Sequence, residues 1–294
     1  MDILIIGVLL GGAYALMAMG LQLQYGVARI MNLASGEMLV AGSFAAFWFF
    51  TGAEYSPLFS IFVVAPIAFG LNWLIYKIFM RPLVKRAKTE GQLEVDSILS
   101  TFGQSFILVG LMLAIFGGKY FNYSYLEKPF EILGQAYELN RIIAFLFAII
   151  FCIILYLWLN RTRLGLTLRA VSVNPDAAGL VGIDVPNAAA LAFALGGAVT
   201  AAGGALLSMF LTFDASVGVI FTMKALVIVI MGGVRDIRGT ILVAFILGLL
   251  ETAVASLIDP GLTLASAYLL FILTLILRPE GIFGKRSKLS LIHI

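Results

Sequence analysis

The sequence predicts an all-α polytopic membrane protein with about eight or nine transmembrane helices, some of them broken or half helices. Three observations carry that expectation. Hydrophobic residues make up 62% of the 294 and charged residues 12%, with a mean hydropathy of +1.06, outside the range of water-soluble globules. Apolar runs recur along the whole chain at close to the roughly 20 residues that cross a hydrocarbon layer of about 30 Å. Lys and Arg gather in particular connections, as membrane topology requires.

The runs fall near 3–24, 33–52, 57–79, 97–117, 141–159, 187–211, 239–258 and 262–277, and they read as one membrane domain over 1–294. A further run at 223–233 has 11 residues and covers about half the membrane at 1.5 Å per residue, unless 213–222 extends it. It reads as a broken helix. The N-terminal MDILIIG lacks a basic leader region, so 3–24 is expected to persist as a span. Cys152 is the single cysteine and His293 the single histidine, which excludes an intrachain disulfide and His-rich metal chemistry. Neither a metal nor a cofactor is expected.

Basic residues set the orientation. Of the 19 Lys and Arg residues, 15 fall at 29, 77, 81–88, 161–169, 235–238 and 278–288, which assigns these segments to the cytoplasm. Only Lys119, Lys128 and Arg141 fall on the other side, where Glu127, Glu131 and Glu138 accompany them, and Lys224 fits neither set. The N-terminus, with Asp2, is therefore expected outside and the C-terminus inside. The pI near 9.0 reflects topology, and nucleic-acid binding is not needed to explain it. Trp48 to Phe50, and at the opposite end Trp73, Tyr76, Tyr156 and Trp158, read as interfacial aromatics in the lipid bilayer.

This threading suggests an inverted repeat. Span 3–24 is followed by YGVARIMNLASGEMLVAG (25–42), and span 187–211 by SVGVIFTMKALVIVIMGG (216–233). Transporters use such repeats to build a midplane site from broken helices. Charges inside a membrane are costly and suggest function, which marks Glu37 and Lys224 at the two helix starts and Glu251 within 239–258. Asn32, Ser35 and Gly36 precede or begin the first helix, and Asn32 and Ser35 have the side chains of caps. Lys224 is opposed by the helix dipole and needs an anionic partner or water. Two readings stand for these charges: a translocation path, or headgroup-level and pairing positions.

Ala192, Gly196, Thr200, Gly204 and Ser208 recur every four residues, and Gly7 and Gly11 form a GxxxG, so backbones should approach closely along both spans. In RAVSVNPDAAGLVGIDVP (169–186), Asn174 suits an N-cap, Pro175 the first helical position, Asp176 the positive helix end and Gly182 the closing turn before Ile183. The result is a short helix over about 175–181 with Ala177, Ala178, Leu180 and Val181 expected at its surface. It either lies on the membrane or docks into another protein.

Together YGVARIMNLASGEMLVAGSF (25–44), RAVSVNPDAAGLVGIDV (169–185), KALVIVIMGGVRDIRGTILVAFILGLLE (224–251) and RPEGIFGK (278–285) resemble the LivH-type permeases of branched-chain amino acid ABC importers, in order and over nearly the whole chain. The resemblance implies a subunit of the bacterial inner membrane. It would work with a second, LivM-like permease, two ATP-binding cassette subunits at the cytoplasmic face and a periplasmic or extracellular substrate-binding protein. It also implies that 160–186 is a coupling loop, with Arg169, Asn174, Pro175, Asp176, Ala177, Ala178, Gly179, Gly182 and Ile183 meeting an ATPase. Two positions depart from the family pattern: Ser35 stands where many relatives have histidine, and the turn at 235–238 is more charged. The substrate thus stays open among branched-chain and other hydrophobic amino acids, urea and short amides. A secondary carrier would have no use for a docking helix. An enzyme would need a catalytic constellation or a Walker A loop, and the sequence has neither.

Overall fold

The computed structural model describes residues 2–123, 125–126, 128–132, 135–279 and 281–283. Glu127, Glu280, Gly284, Lys285, Arg286, Lys288 and His293 lie outside the described residues, as do the side chains of Asp2 and Glu131.

The chain begins with helix α1 (Asp2–Ala28), which returns through a six-residue connection into α2 (Ser35–Ala53). Next comes α3 (Pro57–Ile75), started by Ser56, whose hydroxyl accepts from the Leu58 amide, and by Pro57 at the first position, where a missing N–H costs nothing. A π-helical turn (Tyr76–Met80) joins α3 to α4 (Arg81–Arg86). Helix α5 (Glu90–Phe116) is capped by the Thr89 hydroxyl on the Gln92 amide. A small antiparallel hairpin follows, β1 (Pro129–Ile132) and β2 (Gln135–Glu138), with Phe130 opposite Tyr137. After it come α6 (Leu139–Arg161), α7 (Arg163–Val173), α8 (Pro175–Leu180), α9 (Val185–Leu207), α10 (Gly218–Gly232), α11 (Ile237–Leu257), a 3-10 turn (Pro260–Leu262) and α12 (Thr263–Leu277).

Among the described residues, seven helical segments are long and apolar enough to span a membrane. With α2 and the shorter α10 they account for the eight or nine expected spans. Residues 218–222 extend the 223–233 run into a helix of 15 residues, about 22 Å long. That is longer than the expected half-span but shorter than a full crossing.

Helix α9 sits at the centre and packs on α1, α2 and α3. Nearly nine-tenths of its apolar window is buried, against under a fifth for α5 and α12. Their mean hydropathies differ little. What separates them is the density of Ala and Gly on α9, which lets three neighbours approach at once. At one end, Phe121 and Phe213 exchange backbone hydrogen bonds of 2.8 and 3.0 Å, pinning the loop after α5 to the loop after α9. Phe44 fills the space beneath, stacked on Phe116 at 4.0 Å and edge-on to Phe121 and Phe213. Nearby the Tyr123 phenol meets the Ser208 hydroxyl at 2.8 Å, and burial pushes its pKa up to about 12.

Tyr76 corrects one expectation. It is buried rather than interfacial, and its ring lies against Phe193, because the π-turn rotates that position towards α9. Trp48 and Trp73 are exposed as expected, with the Lys77 ammonium 3.5 Å from the Trp73 ring centroid.

Candidate functional site

The heads of α2 and α10 meet. Gly36 and Gly218 pack so tightly that a Cβ on Gly36 would overlap the Gly218 carbonyl, while one on Gly218 would sit 3.0 Å from the Glu37 amide nitrogen. Only glycine permits that crossing. Orphan backbone groups at the head of α2 are answered from other helices. The Gly36 amide donates to the Thr222 hydroxyl at 2.8 Å, and Thr222 in turn donates to the Leu33 carbonyl at 3.2 Å. The Leu33 amide donates to the Thr101 hydroxyl on α5 at 3.1 Å.

Asn32 and Ser35, although they have the side chains of caps, do not cap α2. Ala34 occupies the cap position without a side-chain bond. Asn32 instead closes the preceding turn, accepting from the Ala34 amide at 3.0 Å and donating to Gln24 on α1 at 2.9 Å. The Ser35 hydroxyl is buried and makes no hydrogen bond.

Glu37 follows in the first turn of α2, fully buried. Neither carboxylate oxygen closes a hydrogen bond of full geometry. The Ser105 hydroxyl and the main-chain amide of Glu37 itself are the polar groups that face it, and the helix N-terminus favours its charge.

Lys224 does not answer Glu37. Its ammonium lies 2.7 Å from Glu251 Oε2 on α11 and donates to the Tyr14 hydroxyl on α1 at 2.7 Å. Tyr14 donates to the same Glu251 oxygen at 2.6 Å. Three helices thus converge on one carboxylate oxygen. The other, Oε1, is buried without a partner, although Glu251 also borders a cavity of about 330 Å³ that reaches Arg141.

Along α9 the four-residue stripe faces inward at every position. Ala192, Thr200 and Ser208 are buried, Gly196 rests on the Gly20 carbonyl, and Gly204 rests on the Leu39 carbonyl so closely that any Cβ would overlap it. The Ser43 hydroxyl donates to the Gly204 carbonyl at 2.8 Å across this contact. Burial extends beyond the stripe, since Leu206 is enclosed as well.

The 160–186 connection folds as two helices. Helix α7 is capped by Thr162, whose hydroxyl accepts from the Gly165 amide at 3.1 Å. Asn174 caps α8 by accepting from the Ala177 amide at 3.0 Å, Pro175 and Asp176 occupy its first turn, and Gly182 turns away at φ +83°. Arg169 reaches back to Asn160 at 2.6 Å. One expected surface residue is misplaced: Ala178 is buried in the protein's own core, because its side of α8 turns towards α9. Ala177, Gly179, Leu180 and Val181 are exposed, Ile183 partly so. Leu180 (89%) and Val181 (76%) are the most open large apolar residues of the connection.

Tyr14, Thr101, Ser105 and Thr222 are site residues that sequence reasoning does not single out. Tyr14 is a polar group in an apolar run, whereas Thr101 and Ser105 stand among other polar residues such as Ser97, Ser100 and Gln104, and only the crossing of the helices shows which of the four face one another. Among the described residues no group of His, Cys, Asp and Glu could hold a metal ion.

The family profile described as "Branched-chain amino acid transport system / permease component" matches residues 3–277. The high-affinity branched-chain amino acid transport system permease protein BraD of Pseudomonas aeruginosa is 28% identical over 96% of this chain and 95% of its own. LivH of Escherichia coli, described in the same words, is 26% identical over 95% and 94%. A probable branched-chain amino acid transport permease protein LivH of Methanocaldococcus jannaschii is 28% identical over 92% and 88%. PsaBC from Streptococcus pneumoniae in complex with Fab aligns over 96% of this chain and 94% of its own, with a TM-score of 0.49 and 10% identity.

Proposed function

Because the chain belongs to the family of branched-chain amino acid transport permease components, we propose that it forms one half of the membrane path of an importer for branched-chain or other hydrophobic amino acids. It is a membrane transport component and not an enzyme. In this reading it pairs with a second, LivM-like permease, and two ATP-binding cassette subunits drive the cycle from the cytoplasm. A substrate-binding protein delivers the amino acid from outside. The N-terminus lies outside the inner membrane and the C-terminus inside.

The observation that carries the ATP-driven reading is the tip of α8. Leu180 and Val181 stand exposed on the basic side of the molecule, beyond the spans, where lipid tails do not explain their exposure. A capped helix with an apolar tip suits the groove of a motor subunit, and Arg169, Asn174, Pro175, Asp176, Ala177, Gly179, Gly182 and Ile183 shape or flank it. Ala178 anchors it from within. The crossing of Asn32, Ser35, Gly36 and Glu37 with α10, together with Lys224 and Glu251, forms the pathway side of the same device.

Reconstitution tests this. Liposomes holding the four kinds of subunit should accumulate leucine only with ATP inside and binding protein outside. Accumulation by this chain alone under an ion gradient would replace the reading with a secondary carrier.

A further inference from the structure

A furrow of about 710 Å³ runs between α6 and α11, with Gly12 and Ala15 of α1 as its floor and Ile153, Leu242 and Phe245 among its walls. At the end of α6 and the start of α11 it reaches Tyr156 and Arg238, and these two residues also line a second cavity of about 760 Å³. That second cavity is basic: Arg169, Arg235 and Arg238 border it together with Asn160 and a single carboxylate, Asp236. Asp236 is already engaged, since its Oδ1 accepts from the amides of Arg238 at 2.9 Å and Gly239 at 3.3 Å at the head of α11. The Arg238 guanidinium is held in place by the Tyr156 hydroxyl, which accepts from its Nε at 2.7 Å and also from a terminal nitrogen.

The two cavities adjoin at Tyr156 and Arg238, which line both. We propose that they form one binding site for an anionic phospholipid, an acyl chain in the furrow and the phosphate on the arginines. The change of chemistry along the site carries the inference. A second transmembrane helix would meet an apolar face along its length, whereas this groove is apolar through the spans and turns strongly basic at the end of α6, where headgroups lie. Basic pockets at helix ends on the positively charged side of membrane proteins suit such headgroups. Small residues on the floor give the furrow depth for a chain.

Native mass spectrometry of the full chain in detergent tests the site, with phosphatidylglycerol titrated against phosphatidylcholine of the same acyl chains. One phosphatidylglycerol should be retained in preference to phosphatidylcholine. Arg238→Gln and Arg169→Gln should each lower that preference about fivefold, from about 1 kcal/mol per arginine near a headgroup. Leu242→Trp should reduce retention of both lipids by filling the furrow. Equal retention of the two lipids in the wild type, or a preference that survives both arginine changes, overturns the proposal. So does displacement of the lipid by millimolar inorganic phosphate, which would mark a simple anion site. If the furrow instead receives the second permease, Leu242→Trp will lower recovery of the assembled complex and leave lipid retention untouched, which also overturns it.

Discussion

The Lys224 ammonium and the Glu251 carboxylate lie 2.7 Å apart between α10 and α11, both nearly buried. Either charge alone would be costly in hydrocarbon, so the pair explains how two charges persist in otherwise apolar helices. Tyr14 completes the arrangement by donating to the same carboxylate oxygen.

A buried pair of this kind is vulnerable from one side and tolerant from both. Lys224→Met or Glu251→Leu alone should destabilise the protein by about 3–5 kcal/mol by leaving a buried charge uncompensated. The double variant should recover most of that loss. Thermal unfolding in detergent measures it, and a double variant less stable than either single one would deny the coupling. If the pair belongs to the translocation path, uptake should stay low in the refolded double variant.

Glycine substitutions separate crossing points from lipid-facing positions. Gly204→Ala forces a methyl onto the Leu39 backbone, and overpacking of that sort costs about 1–3 kcal/mol or more. At Gly103 a methyl would meet nothing within 4 Å, so Gly103→Ala should be neutral or stabilising by up to about 1 kcal/mol, the helix-propensity gain. Equal melting temperatures for the two variants would remove the close packing of α9 on α2.

Thr222 is a further test of how α2 begins. Thr222→Val keeps the shape and removes the acceptor for Gly36 and the donor to Leu33, leaving buried backbone groups unpaired at a cost of about 1–3 kcal/mol. Thr222→Ser should restore most of that stability. A Val variant as stable as the Ser variant would show that another group satisfies the helix head.

Much of this architecture is legible in the sequence because it follows from short-range chemistry. Run length and hydropathy give the spans, and Asn174, Pro175 and Gly182 give α8 its start and its end. The small-residue period of α9 gives a packing seam but not its extent, since Leu206, which lies off that stripe, is buried as well. Ala178 escapes for the same reason: its burial depends on where α8 rests, not on its neighbours in sequence. The partners of Lys224 and Glu37 lie outside local reasoning altogether. Tyr14 is 210 residues from Lys224, and only the fold selects Glu251 over Glu37 as the counter-charge.

The burial of Ala178 changes what a coupling test can use. Ala178→Glu should reduce folded yield, because it puts a carboxylate into the core without a partner. Leu180→Glu alters a side chain that is 89% exposed and should leave the chain folded while weakening retention of the ATPase subunits in a pull-down. Full retention and normal substrate-stimulated ATP hydrolysis in Leu180→Glu would take the docking role away from α8.

Glu37 offers the sharpest test of the pathway. It is buried at the head of α2, against Gly218 and beside Ser105, and Lys224 is already committed to Glu251. Its remaining stabilisation comes from the helix N-terminus and neighbouring dipoles. Glu37→Gln keeps the shape and hydrogen-bonding reach but removes the charge, whereas Glu37→Ala leaves a void at the crossing. If Glu37 organises the backbone of residues 32–36, Gln should retain most uptake and Ala should lose it in a complex that still assembles. If its charge is needed, the two losses should match. In the proposed importer, where a binding protein outside would select the substrate first, preference should be unchanged in both. Uptake by reconstituted complexes, with assembly followed by size-exclusion chromatography, decides among these outcomes, and wild-type uptake by Glu37→Ala would remove Glu37 from the path.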